Sequence, residues 1–186
     1  MMKHIDRARG ALVLVDFQAR LMPAIHDAVA VVEEAVFLAD MARLLGLRVL
    51  GTEQNPAGLG PNVPQIRERC DPTLAKMHFD ACQDGLLESL QRTGPDLGDV
   101  VIAGCEAHVC LLQTALGLRR AGVNVFVVAG ACGSRSPRDH QLAMRRLELA
   151  GAVIVSAEMV AFEWLNSCED TSFKTALALL KQRVVR

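Results

Sequence analysis

The stretch Ala11-Leu12-Val13-Leu14-Val15, followed at once by Asp16, decides the fold. Five consecutive apolar residues without alternation are typical of a strand whose two faces are both covered by helices, as in a parallel sheet. Similar runs recur along the chain, and the shorter segment TLAK ends in a lysine. We therefore predict six strands, at residues 11–15, 47–52, 73–76, 99–104, 123–129 and 152–156.

The segments between these runs have the length and spacing of helices. One begins near Asp27, carries apolar residues at helical spacing, and has Gly46 at a suitable end point. Ser136 and Pro137 predict the start of a helix that runs to Gly151, because serine caps helix N-termini and proline fits the first helical position. We also predict helices at 107–120 and 171–185, and a loop at 55–64.

This alternation of strands and helices favours an α/β fold, a three-layer α-β-α sandwich around a doubly wound parallel sheet. No linker, repeat or low-complexity tract divides the chain, so we expect one domain over residues 1–186. A domain of this size buries roughly 70% of its unfolded surface and therefore needs no disulfide or structural metal.

Composition narrows the classes of function. The chain is 51% hydrophobic and 22% charged, with a formal net charge of −1, which excludes a disordered protein. No basic block or basic–aromatic pattern indicates a nucleic-acid surface. The N-terminus is polar and ALVLV is too short for a signal sequence or a membrane span, so we expect a soluble, cytoplasmic protein. In that compartment the six cysteines are expected to stay reduced.

Three reactive side chains follow strands whose carboxyl ends would meet at one edge of the sheet, where open parallel sheets bind ligands. Asp16 follows the first strand, Lys76 ends the third, and Cys110 lies in the first turn of the helix after the fourth. We predict Cys110 as a nucleophile, because a helix N-terminus and a nearby lysine both favour a thiolate. Asp16 would be the general base and Lys76 the cation that holds both anions.

Each of these residues also has an ordinary interpretation. Cys110 could be a buried apolar residue, Asp16 a helix cap, and Lys76 a surface charge. The convergence of three strand ends favours the catalytic interpretation for all three together.

The segments LVLVDFQ around Asp16, TLAK with Lys76 and VVIAGCEAHVC with Cys110 resemble the isochorismatase-like cysteine hydrolases. That family includes nicotinamidases, carbamoylsarcosine amidohydrolases and isochorismatases. The segments TEQNPAGLGP, GCEAHVC and ACGSRS are similar to those of its isochorismatase domain-containing branch. The resemblance implies a Rossmann-like sheet of six parallel strands and a catalytic triad of Asp16, Lys76 and Cys110. It also implies an oxyanion hole formed by the backbone N–H groups of Glu106 and Cys110, and a cis peptide bond between Cys105 and Glu106.

The chemistry implied by the resemblance is cleavage of a small amide-like C–N bond through a thioester, with no cofactor. Asp16 would take the thiol proton and later donate it to the leaving amine. Nicotinamidases hold a metal through an Asp-x-His pair and further histidines after the second strand, but residues 52–56 here contain no histidine. We therefore expect no metal, and nicotinamide is disfavoured as the substrate. Cys110 also argues against cleavage of the isochorismate enol ether, because members with that activity usually lack this cysteine.

Four further residues are candidates for a pocket that binds a small-molecule substrate: Gln18, His78, Phe79 and His108. Gln18 could instead satisfy backbone groups at the end of its strand, and His78 and Phe79 could form an ordinary half-exposed loop. Arg135 is either an anion ligand near a helix N-terminus or a solvated loop residue.

Two other kinds of site are excluded, and one other function stays open. Cys105, His108 and Cys110 lack the paired spacing of a zinc site. A dinucleotide site needs G-x-G-x-x-G after the first strand, where this chain has DFQARLMP. The alternative function is a non-catalytic binding protein that keeps the hydrolase fold. With either function, the hydrophobic content and the C-terminal helix predict a homo-oligomer.

Overall fold

Six parallel strands form a single sheet in the computed structural model, which describes residues 4–92 and 97–183. The strands are β1 (Gly10–Val15), β2 (Arg48–Gln54), β3 (Thr73–Lys76), β4 (Asp99–Cys105), β5 (Asn124–Gly133) and β6 (Val153–Val155). Their spatial order is β3-β2-β1-β4-β5-β6, and every neighbouring pair is parallel. The order reverses between β1 and β4, which makes the carboxyl ends of these two strands the expected place for a ligand.

Helices cover both faces of this sheet. The α-helices are α1 (Ala28–Leu44), α2 (Pro56–Leu59), α3 (Pro64–Arg67), α4 (Leu86–Gln91), α5 (Cys110–Arg120), α6 (Pro137–Leu149), α7 (Ala157–Leu165) and α8 (Phe173–Gln182). One face packs against α1, α7 and α8, and the other against α4, α5 and α6. The predicted three-layer α-β-α sandwich is confirmed. Within the described residues, no helix has the length and apolarity needed to cross a membrane.

The position of β1 between the two hydrophobic cores explains why its sequence is continuously apolar. Leu12 and Leu14 lie in the core beneath α1, whereas Val13 and Val15 lie in the core beneath α5. All four side chains are fully buried, and each such residue contributes about 1.5–3 kcal/mol through removal of apolar surface from water. The strand therefore supports both cores and holds the following Asp16 in a rigid place.

A close backbone contact joins β1 to β4 at their carboxyl ends. Gly104 has a φ of 144°, and a Cβ atom at this position would lie 2.1 Å from the carbonyl oxygen of Val15. Only glycine permits this approach, because any side chain would overlap the neighbouring strand. The contact brings the turn after β4 next to Asp16.

The structure differs from the sequence expectations in several segments. Helix α7 was not expected, and β5 continues four residues past its predicted end at Ala129. The predicted loop at 55–64 contains the short helix α2. The C-terminal helix ends at Gln182, and the last two residues of its predicted range, 184 and 185, lie outside the described residues.

Candidate active site

A fully buried ion pair lies at the carboxyl edge of the sheet. Lys76 Nζ is 2.7 Å from Asp16 Oδ2, and both side chains are 0% exposed. Asp16 follows β1 in the left-handed backbone region (φ 53°), which aspartate tolerates better than most residues. Its second carboxylate oxygen, Oδ1, accepts a hydrogen bond of 2.6 Å from Thr52 Oγ1. Both oxygens of the carboxylate therefore have a fixed partner.

The Lys76 ammonium group has two hydrogen-bond acceptors in addition to its ion-pair contact with Asp16. It donates to Gln54 Oε1 at 2.7 Å and to the backbone oxygen of His78 at 3.4 Å. Because burial of an unpaired charge is very costly, these partners hold the cation in one position.

Gln54 lies between the lysine and the cysteine and is itself fixed. Its Nε2 donates to the Met77 carbonyl at 2.7 Å, which orients Oε1 toward Lys76. Gln18 clamps the backbone of Gln54 from the other side: Gln18 Oε1 accepts from the Gln54 N–H at 2.8 Å, and Gln18 Nε2 donates to the Gln54 carbonyl at 3.0 Å. Gln18 is fully buried, and its amide group satisfies backbone groups of Gln54, which was the alternative role considered for it.

Cys110 is the first residue of α5 and interacts with both members of the ion pair. Its sulfur lies 3.9 Å from Gln54 Oε1, and the residue is 6% exposed. Burial, which is the largest cause, and the Asp16 carboxylate both raise the pKa of the thiol, whereas Lys76 lowers it; together they bring the pKa to about 12. The expectation of a resting thiolate is therefore wrong: burial and Asp16 outweigh the lysine, so at neutral pH the sulfur keeps its proton.

Two backbone N–H groups beside this thiol are available to a ligand. The peptide bond between Cys105 and Glu106 is cis, as the resemblance implied. The Glu106 carbonyl accepts hydrogen bonds from Val109 N at 2.9 Å and from Leu111 N at 3.3 Å. Within the described part of the chain, no hydrogen bond uses the N–H of Glu106 or of Cys110. These are the two groups expected to form the oxyanion hole.

The other sequence candidates after β4 and β5 contact one another. The Glu106 carboxylate accepts a hydrogen bond of 2.6 Å from Arg135 Nε, and its second oxygen lies 4.0 Å from His108 Nε2. The other ring nitrogen of His108 lies 2.9 Å from Ser134 Oγ. Arg135 is thus an ion-pair partner of Glu106, and His108 packs in this cluster.

His78 and Phe79 form the rim rather than the interior of the site. The His78 ring is 57% exposed and lies 3.0 Å from Asp84, which also accepts hydrogen bonds from the backbone N–H groups of Met77 and His78. Phe79 is 51% exposed. The structure therefore agrees with the alternative of a half-exposed loop beside Lys76.

Neither a metal cluster nor the groove between α1 and α8 coincides with this group of residues. Among residues 4–92 and 97–183, no three His, Cys, Asp or Glu side chains are grouped to hold a metal ion. Cys105 Sγ lies 3.8 Å from Met22 Sδ, away from His108 and its Ser134 partner. A groove of about 920 Å³ lies between α1 and α8 on one face of the sandwich, far from Cys110 in the fold.

Thr52 and Gln54 are the site residues that sequence reasoning missed. They are alternate residues at the end of β2, the strand between those that carry Asp16 and Lys76. Alternate residues of a strand point to the same face, so both side chains lie on the side of the ion pair. In the sequence, the polar residues Thr52 and Gln54 at the end of a mainly apolar strand were the signal that could have indicated this role.

Comparisons with known proteins show the family and the fold of this chain. Residues 10–159 match the model of the isochorismatase domain. The chain is 33% identical over 173 residues to isochorismatase domain-containing protein 2 of Xenopus laevis, covering 93% of this chain and 84% of that protein. Among solved structures, a MAR1 ribonuclease from Caenorhabditis elegans is 30% identical with a TM-score of 0.90, covering 99% of this chain and 95% of that one. The YcaC gene product of Escherichia coli, an octameric hydrolase of unknown specificity, is 25% identical with a TM-score of 0.88, covering 97% and 90% of the two chains. This chain therefore belongs to the isochorismatase family.

Proposed function

We propose that this protein is a metal-independent cysteine hydrolase that cleaves a small amide-like C–N bond through a thioester. The observation that carries the proposal is the buried Asp16–Lys76 ion pair, which interacts with the Cys110 thiol at the start of α5. A nucleophile, a base and a fixed cation within one water-excluded group are what covalent acyl transfer requires.

Acylation begins with proton transfer from the Cys110 thiol to Asp16. The sulfur then attacks the substrate carbonyl carbon, and the new C–S bond forms as the thiol loses its proton. A base is needed because a thiol with a pKa of about 12 supplies almost no thiolate at neutral pH. Lys76 stabilises the sulfur anion while Asp16 carries the proton.

The carbonyl oxygen gains a negative charge during this attack. The free N–H groups of Glu106 and Cys110 are the donors for that charge, and each such donor is worth about 3–4 kcal/mol in the transition state. Protonated Asp16 then gives its proton to the departing nitrogen as the C–N bond breaks. The amine leaves, and Cys110 holds the acyl group as a thioester.

Hydrolysis of the thioester uses the same residues a second time. Asp16 takes a proton from water, the resulting hydroxide equivalent attacks the acyl carbon, and the C–S bond breaks. The acid product leaves, and the proton returns to the Cys110 sulfur. Gln54 keeps Lys76 in place throughout, because its amide oxygen is held toward the ammonium group.

The burial of Cys110 favours a small substrate over a polymer. The residue is 6% exposed, so only a slender group can reach the sulfur. The C. elegans neighbour is named a ribonuclease. RNA therefore belongs in the substrate panel, where the present proposal predicts no cleavage that depends on Cys110.

Intact-mass spectrometry tests the proposal most directly. The protein is incubated with a panel of amides and ureides, and an acyl mass increment is expected on Cys110. Cys110→Ala should abolish both the increment and turnover, while Cys168→Ala, which removes an exposed thiol, should change neither. Chelators should have no effect. Turnover by Cys110→Ala, or activity lost to a chelator and restored by zinc, would overturn the proposal.

We also propose that the protein is a cytoplasmic homo-oligomer. The octameric E. coli neighbour supports self-association, as do several large apolar side chains exposed on α6, β6 and α7. These are Leu142, Leu149, Val153, Met159 and Phe162. Light scattering after size-exclusion chromatography is expected to give a mass that is a multiple of 20.1 kDa, whereas a mass of 20.1 kDa would contradict this proposal.

A further inference from the structure

Three contacts join two short segments beside the proposed nucleophile. We call residues 105–110 the oxyanion turn and residues 133–136 the Arg135 loop. Ala107 N donates to the Gly133 carbonyl at 2.6 Å, His108 Nδ1 lies 2.9 Å from Ser134 Oγ, and Arg135 Nε donates to Glu106 Oε1 at 2.6 Å. Three successive residues of the turn are thus held by three successive residues of the loop.

Glu106 is held in the oxyanion turn through both its carbonyl and its carboxylate. Its carbonyl accepts two hydrogen bonds from the start of α5, and its carboxylate is held by Arg135. The Glu106 side chain is 10% exposed, so its orientation depends mainly on its contacts with Arg135 and His108. The backbone N–H of Glu106 makes no hydrogen bond in the described chain.

Arg135 therefore has a defined partner that is part of the turn. The planar guanidinium group suits a carboxylate in a fixed orientation, which a flexible ammonium group does not reproduce. The Arg135 side chain is 62% exposed and lies on the solvent side of the Glu106 carboxylate. Arg135 thus links the loop after β5 to the oxyanion turn through its Nε.

We propose that Glu106, through its side chain, and Arg135 are positioning residues that aim the Glu106 N–H at the developing oxyanion. This assignment rests on the proposed cysteine hydrolase activity. If the Arg135 anchor is lost, residue 106 can rotate, and its N–H leaves the direction shared with the Cys110 N–H. Since donors must meet the oxyanion at hydrogen-bond distance, a small displacement is enough to slow acylation.

The test compares two reactions of the same sulfur. With p-nitrophenyl acetate, Cys110 forms a C–S bond to the acyl carbon and expels p-nitrophenolate, and the carbonyl oxygen becomes an oxyanion. With iodoacetamide, the sulfur forms a C–S bond and expels iodide, and no oxyanion develops. The ratio of the two rates at Cys110 therefore reports on the oxyanion hole and not on the general reactivity or folding of the protein. Both rates are measured by mass spectrometry in a Cys168→Ala background.

Arg135→Met is expected to lower the acylation rate of Cys110 by roughly ten- to a hundredfold and to leave alkylation within about twofold. Glu106→Gln should show the same selective loss, and Arg135→Lys should recover part of the rate. Arg145→Met is the matched control, because Arg145 also forms an exposed ion pair, with Glu148 on α6, but lies outside the site. It should alter neither rate.

The failures of the two proposals can be told apart. If the unaltered protein is not acylated at Cys110, the proposed hydrolase activity is overturned, and this assignment with it. If the unaltered protein is acylated and Arg135→Met reacts at the same rate, only the positioning role is overturned. A parallel fall of acylation and alkylation would also overturn it, because it would indicate a general structural defect.

Discussion

Two ion pairs at the same edge of the sheet differ in their access to water. The pair Lys76–Asp16 is 0% exposed on both sides, at 2.7 Å, and the pair Arg135–Glu106 is 62% and 10% exposed, at 2.6 Å. The N–O distances of the two pairs are similar, but the two pairs differ in solvent exposure. Opposite charges attract far more strongly in a buried site than at the surface, and breaking a buried pair leaves an uncompensated charge.

The difference separates two tasks within one site. The buried pair can serve chemistry, because its partners stay fixed and water does not screen its charges. The open pair can orient a loop, but solvent weakens its contribution to stability. The tasks predict different responses to substitution, largest for the buried pair.

Lys76→Met should produce the largest loss of stability. It leaves the Asp16 carboxylate buried without its cation, which typically costs about 3–5 kcal/mol of unfolding free energy. The measurement is chemical denaturation followed by circular dichroism. Arg69→Met is the matched control, because Arg69 pairs with Asp40 at 2.7 Å in a partly exposed position and should cost about 1 kcal/mol or less. Equal losses in the two variants would remove the distinction between buried and open pairs.

Gln54→Met should have the next largest effect. It keeps a similar shape but removes the oxygen that accepts from Lys76 Nζ, and hydrogen bonds to charged groups contribute about 1.5–3 kcal/mol. The same denaturation experiment measures it. Gln113→Met, at an exposed position on α5, should change stability by about 0.5 kcal/mol or less. A Gln54 variant as stable as this control would show that Lys76 does not depend on the amide.

Asp16→Asn should abolish hydrolysis and yet accelerate alkylation of Cys110. The carboxylate raises the pKa of the thiol, so its removal lowers that pKa and makes the thiolate the counterion of Lys76. A neighbouring charge shifts a pKa by about 1–3 units, so alkylation at pH 7 should be about tenfold faster or more. The rate is measured by iodoacetamide labelling and peptide mapping. Slower or unchanged labelling would mean that Asp16 does not control the thiol proton.

In the unaltered protein, Cys168 should be alkylated before Cys110. Cys168 is exposed, whereas Cys110 is buried and its thiol has a pKa of about 12. Below that pKa the thiolate fraction rises tenfold per pH unit, so labelling of Cys110 should rise steeply from pH 7 to pH 9. Rapid labelling of Cys110 at pH 7 that does not vary with pH would indicate a resting thiolate instead.

Arg135→Met should have the smallest effect on stability, about 1 kcal/mol or less, because its guanidinium group is largely solvated. Denaturation midpoints measure this loss beside that of Lys76→Met. A loss as large as that of Lys76→Met would place Arg135 among the residues that hold the fold.

The fold was predictable from sequence because burial on both faces leaves a simple pattern. The run 11–15 and the short TLAK segment appear as β1 and β3 with little or no change in bounds. Helix α7 escaped prediction because its segment, AEMVAFEWL, is apolar on most sides, and β5 appeared to end early at Gly130. The pairing of β4 with β5 shifts register between Ile102 and Gly104, so β5 continues beyond an irregularity that sequence does not show.

The site was predictable only in part. The proximity of Asp16, Lys76 and Cys110 could be predicted, because each ends or follows a strand whose carboxyl end lies at the same edge of the sheet. Gln54 and Thr52 were missed, since their role depends on β2 lying between β1 and β3, which only the sheet order reveals. The pKa of Cys110 could not be predicted either. It depends on the balance between burial, Asp16 and Lys76, which the helix position alone does not determine.

The strand order also determines when the candidate site can assemble during synthesis. β1 pairs with β2 on one side and with β4 on the other. Gly10 therefore cannot pair with Asp99 until the chain has been synthesised as far as β4. Contacts this distant in sequence form slowly, and an unpaired strand edge is prone to aggregation. A nascent chain that ends before β4 therefore carries Asp16 and Lys76 but exposes the central edge of its sheet. The segment from β4 to Cys110 must therefore be synthesised before that edge is covered, and until then β1 is exposed to aggregation.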